Sequence, residues 1–125
     1  MLIKNYYTVT GRHTEGDTSV FEISLNADCE VYKGHFPNEP ISPGVCNIQM
    51  IKECAELVVC KPLIMNNLQQ CRLTTLVTPL EHPNVEVRLQ LTETENETFK
   101  LHATLGKGED IYLEMIAELS VETNS

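Results

Sequence analysis

Basic residues are scarce in this chain: nine Lys and Arg stand against eighteen Asp and Glu, a formal net charge of −9. That balance argues against nucleic acid and against an anionic membrane as partners, since both recruit positive charge. No apolar run approaches the roughly 18 residues of a bilayer-crossing helix, so no membrane contact is expected. The opening residues lack the pattern of a secretory leader, and a cytoplasmic location is the expectation. Cys-x-x-Cys is missing too. The five cysteines (Cys29, Cys46, Cys54, Cys60 and Cys71) are an odd number that one chain cannot fully bridge. Their small or apolar neighbours suit reduced, buried thiols. No spacing of His, Cys, Asp or Glu fits a metal site, and neither metal nor cofactor is expected. Linkers, low-complexity tracts and internal repeats are absent, which leaves the 125 residues as a single domain, 1–125.

The rest reads as an ordinary soluble chain, with 42% hydrophobic and 22% charged residues. Leu2 to Thr10 is β-branched and aromatic, Gly11 to Asp17 carries turn chemistry, and Ser19 to Leu25 alternates, which predicts a hairpin. Gly44 to Val59 has helical spacing. At about 100° per residue, Val45, Ile48, Ile51, Ala55, Val58 and Val59 share one side. Met50, Cys54 and Leu57 widen that arc until only a narrow polar stripe remains, made of Gln49, Lys52, Glu53 and Glu56. A helix so apolar is expected to be buried on nearly all sides, and Lys61-Pro62 ends it. Four strands follow: an irregular one over Leu68 to Val77, then alternating runs at Val85 to Leu91, Phe99 to Leu105 and Ile111 to Val121. Long antiparallel strands with one buried helix predict an α+β domain, its sheet wrapped on the helix.

Between hairpin and helix lies Gly34-His35-Phe36-Pro37-Asn38-Glu39-Pro40-Ile41-Ser42-Pro43-Gly44-Val45. Three prolines recur every third residue, each fixing φ and biasing its predecessor to extended geometry. Such a segment gives up little entropy on folding and can hold a side chain in a fixed pose. The side chain so held is His35. By contrast, His13 in the predicted turn and His102 on the polar side of a strand read as solvated histidines, and His82, before Pro83 in a turn, carries no functional argument.

This segment, with its Gly-His-Phe-Pro-x-x-Pro-x-x-Pro-Gly-Val pattern, resembles the signature of the bacterial 3-hydroxyacyl-(acyl carrier protein) dehydratases, which have the hotdog fold. The order of elements is similar as well, and the stretch from Cys71-Arg72-Leu73 to Pro79 resembles that family's strand after the helix. The resemblance implies that His35 is the general base removing the α-proton of a 3-hydroxyacyl thioester. It implies that the backbone N–H of Gly44, at the helix N-terminus, hydrogen-bonds the thioester carbonyl. An α-proton of a thioester is weakly acidic, so base and carbonyl donor must act together, and the helix dipole favours the developing charge. Phe36, Pro37 and Pro43, with Val45 and Ile48 at the start of the helix, are then expected to line an apolar acyl tunnel.

The second catalytic group of that family is a Glu or Asp fourteen residues after the histidine, and here that position holds Gln49. An amide donates and accepts hydrogen bonds but transfers no proton at neutral pH, and losing one general acid removes ~10²–10⁴-fold in rate. The expectation is therefore a dehydratase-like lyase of fatty acid or related acyl-chain biosynthesis, impaired by Gln49, which would orient the hydroxyl or a water. Two alternatives stay open: a non-catalytic acyl-binding or partner subunit of an active relative, and a hotdog acyl thioesterase. The implied partners are an acyl thioester on acyl carrier protein or coenzyme A and a second subunit. A homodimer is expected, with a heterodimer or higher oligomer as the other possibilities. Lys33, Lys52, Lys61 and Arg72 are the cations that could gather near the tunnel mouth to meet an acidic carrier.

Overall fold

A computed structural model describes residues 6–26, 44–75, 77, 82–95 and 97–122, with the side chains of Gly44 and Val45 outside that description. Six strands and one helix follow in the order β1 (Tyr7–Glu15), β2 (Thr18–Leu25), α1 (Gly44–Val59), β3 (Leu63–Leu73), β4 (Asn84–Glu95), β5 (Thr98–Lys107) and β6 (Asp110–Val121). The strands form one sheet in the order β1-β2-β4-β5-β6-β3, with every neighbouring pair antiparallel. This is the α+β arrangement expected from the patterning.

Alternation explains the core. Val85, Val87 and Leu89 of β4, Leu101, Ala103 and Leu105 of β5, and Leu113, Met115, Ala117 and Leu119 of β6 are all buried on one face of the sheet. Against them lie Cys46, Met50, Ile51, Cys54 and Ala55 of α1. Each large aliphatic side chain so buried contributes about 1.5–3 kcal/mol. The helix ends where Cys60 turns into the left-handed region at φ 59°, with its N–H donated to the Glu56 carbonyl at 2.8 Å. A residue in that conformation followed closely by proline stops a helix. The Glu56 carboxylate then accepts the Leu63 N–H at 2.8 Å, tying the start of β3 back to the helix.

Several expectations need correction. The hairpin turn is only Gly16-Asp17, because Glu15 pairs with Thr18, and Gly16 takes φ +62°, open to glycine without strain. Gly11 is not a turn residue. It sits in β1 at a bulge, where a Cβ would run into the Glu22 carboxylate. His13 accordingly lies in a strand, opposite Val20, with its Nε2 2.8 Å from Glu15. β3 begins at Leu63 rather than Leu68. Ile111 is exposed instead of facing inward, since the register shifts between Leu105 and Gly106 just before it.

The helix is not buried on nearly all sides either: one sheet covers one face, and Leu57 remains 47% exposed. Of the cysteines, Cys46 and Cys54 are buried, but Cys60 and Cys71 are exposed, one at the helix stop and one on the edge strand β3; Cys29 lies outside the described residues. Among the described residues no helix is long and apolar enough to cross a membrane.

Candidate active site

Two tyrosines, Tyr7 at the start of β1 and Tyr6 just before it, reach α1 with their hydroxyls. Tyr7, half-buried at the start of β1, donates its hydroxyl to Glu53 Oε1 at 2.6 Å. Tyr6, just before β1, donates to Asn47 Oδ1 at 2.6 Å, with both residues buried. The two rings meet edge-on, their centroids 6.3 Å apart. Together they hold two positions of α1, Asn47 on its apolar arc and Glu53 on its polar stripe.

Glu53 is only 8% exposed. A buried carboxylate needs partners on both oxygens, and Glu53 has them: Tyr7 on Oε1 and the Gln49 amide on Oε2 at 2.9 Å. Gln49 and Glu53 stand four residues apart on a helix, the spacing at which side chains meet. Burial first, and then the hydrogen bond to Glu53, push the Tyr7 phenol well above its usual range. Burial, followed by the Glu53 charge, pushes the Cys54 thiol up to about 12.

Two cavities flank this stripe. One, of about 510 Å³, is bounded by Tyr7, Glu53, Leu57, Cys60 and Pro62. The other, of about 370 Å³, is bounded by Ile48, Gln49, Lys52, Leu63 and Met65. The Gln49–Glu53 hydrogen bond therefore links a residue on one cavity to a residue on the other. The arrangement offers an amide, a carboxylate and a protonated phenol in series, a device for orienting a ligand's hydrogen-bonding groups. Among the described residues no cluster of three or more His, Cys, Asp or Glu is placed to hold a metal ion.

Of the residues singled out by sequence, Gln49 and Ile48 lie together on the smaller cavity. Gly44 and Val45 open α1, which puts the Gly44 backbone at the helix N-terminus. His35, Phe36, Pro37 and Pro43 lie outside the described residues. Tyr7 and Asn47 were missed. A polar residue at position 47, on the arc shared with Ile51, Cys54 and Val58, was the available signal for Asn47. Nothing local marks Tyr7, whose partner is 46 residues away.

The model of the ApeI-like family, described as ApeI dehydratase, matches residues 11–111. No curated protein matches the chain. Among solved structures, the dehydratase heterocomplex ApeI:P from Xenorhabdus doucetiae is similar at TM-score 0.70 and 14% identity, over 90% of this chain and 96% of that one. An uncharacterised protein from Pyrococcus horikoshii gives 0.65 at 13% identity, over 93% and 85%. A mutant thioesterase from Staphylococcus aureus gives 0.62 at 12%, over 95% of each chain. With its antiparallel sheet and single described helix, the chain has the hotdog fold.

Proposed function

The chain belongs to the ApeI-like dehydratase family, and from that premise we propose that it works on 3-hydroxyacyl thioesters in acyl-chain biosynthesis. In this reading His35 removes the α-proton. The Gly44 N–H and the helix dipole take up charge developing on the thioester oxygen. Gln49 orients the 3-hydroxyl, or the water that enters in the reverse direction. Phe36, Pro37, Pro43, Val45 and Ile48 line the acyl path. The observation that carries the reading is Gln49 itself: fourteen residues after His35, it is fixed by Glu53 at the edge of a cavity it shares with Ile48. The acyl group arrives on a carrier protein or coenzyme A, in the cytoplasm, and one hotdog domain accounts for the chain.

A second subunit belongs to the proposal. Leu68 and Leu73 of β3 pair with Ala117 and Leu113, whose side chains are buried, yet they stay 40% and 49% exposed. They extend the inner face beyond the cover of α1, on a strand at the end of the sheet. Such an edge needs pairing or covering. An acidless Gln49 together with this open edge also favours a second reading, a subunit that completes an active relative. The solved ApeI:P neighbour is a heterocomplex.

The test follows 3-hydroxyacyl and 2-enoyl thioesters with purified protein, reading enoyl absorbance and free thiol together. Reversible hydration is the expected result. Thiol release alone identifies a thioesterase, and silence on both leaves the partner subunit.

A further inference from the structure

Among the described residues Gln49 is tied at one end only. Its Nε2 donates to Glu53 Oε2, and among the described residues no donor is bonded to its carbonyl oxygen. The assignment of the two ends follows from chemistry: a carboxylate oxygen only accepts, so the group facing it is the amide NH₂. Glu53 cannot easily swing away to release that grip. It is buried, and its other oxygen is occupied by the Tyr7 hydroxyl at 2.6 Å. The phenol stays protonated, because burial and the neighbouring carboxylate both disfavour its anion. Hydrogen bonds to a charged oxygen are among the stronger ones, which suits a clamp.

We propose that Tyr7 and Glu53 are a positioning pair that turns the Gln49 nitrogen inward and leaves its carbonyl oxygen to the cavity, so that the site selects a ligand presenting a hydroxyl or water there. The inference rests on the reading of the chain as an acyl-thioester protein and adds the residues that position Gln49 for the 3-hydroxyl already assigned to it. A hydroxyl meets an oxygen already aimed at it, with no glutamine torsions left to freeze. A saturated acyl chain leaves that oxygen without a donor, which a desolvated site penalises. Glu53 acts through Gln49 and need not touch the ligand.

The experiment uses unreactive amide analogues of the 3-hydroxyacyl and the saturated acyl thioester, both on pantetheine, with binding measured by calorimetry. In parallel, exchange of the Gln49 side-chain amide protons is followed by NMR. The wild type should show slowed exchange at Gln49 and prefer the hydroxyl ligand by about 3–10-fold. Glu53→Gln offers one acceptor oxygen where two donors compete, so both readouts should fall. Tyr7→Phe removes a single hydroxyl and should lower both by less, which keeps the test available if Glu53→Gln does not fold. Gln49 protons exchanging as fast as those of a solvated glutamine in the wild type would overturn the proposal. So would a hydroxyl preference that survives Glu53→Gln intact. A wild type that shows the preference but turns over neither thioester upholds the positioning pair and sinks the dehydratase reading.

Discussion

The hydroxyl of Tyr7 and the carboxylate of Glu53 lie 2.6 Å apart across 46 residues of chain, and this contact joins the first strand of the sheet to the polar stripe of the helix. Its pH dependence is predictable. Tyr7 is held above the usual tyrosine value of about 10 by burial, with Glu53 adding to the effect. Below that pH the phenol is neutral in folded and unfolded chains alike, and its contribution to stability is complete. Above it the unfolded chain loses a proton that the folded chain keeps, so stability falls as pH rises. Urea midpoints at about pH 9 and about pH 11 should drop more for wild type than for Tyr7→Phe; equal drops would contradict the contact.

Thiol reactivity should sort by position. Cys60 is exposed at the helix stop, whereas Cys54 is buried with its thiol pushed up to about 12. Thiolate is the reactive form, so alkylation near neutral pH, mapped by peptide mass spectrometry, should reach Cys60 at least ~10-fold sooner. Equal rates would mean that the helix is not packed as described.

Restoring a carboxyl group at position 49 should raise activity. Gln49→Glu puts two carboxyl groups within hydrogen-bond distance, where Gln49 now meets Glu53 at 2.9 Å. Like charges so close share a proton and raise the apparent pKa of the pair, which favours an acid near neutral pH. The expected gain in dehydration kcat is about 10-fold or more, part of the ~10²–10⁴ that a general acid contributes. No gain would count against position 49 as the family's acid site.

The β3 edge is predicted to be covered by a second subunit. Leu68→Lys should convert a dimer to a monomer in sedimentation velocity and expose Cys71, on the same strand, to alkylation about tenfold faster. A wild type that sediments as a monomer would remove the second subunit from the proposal.

Where the sequence was legible, periodicity was unbroken. The helix runs from Gly44 to Val59 as its spacing predicts, and the inward rows of β4 and β5 fall on the expected residues. β3 was misplaced because bulges between Met65 and Asn67 and between Leu68 and Gln70 shift the alternation, so Leu63, Met65, Leu68, Cys71 and Leu73 share a face without a period of two. The first strand was read as ending at Thr10, because Gly11 and the polar, exposed residues that continue β1 to Glu15 carry no apolar alternation. The motif register singled out Gln49, and the helical spacing put Glu53 beside it on the stripe, where the two now meet. The clamp on Glu53 was not legible, since a contact made by a residue as distant as Tyr7 leaves no local trace.

The central claim, acyl-thioester dehydration with His35 as base, is tested most directly by hydrating a 2-enoyl thioester with wild type and His35→Ala side by side. Loss of enoyl absorbance in the wild type, reversible from the 3-hydroxy side and reduced ~10²-fold or more in the variant, is the predicted result. Equal rates in both proteins, or thiol release without any change in the enoyl signal, would contradict it.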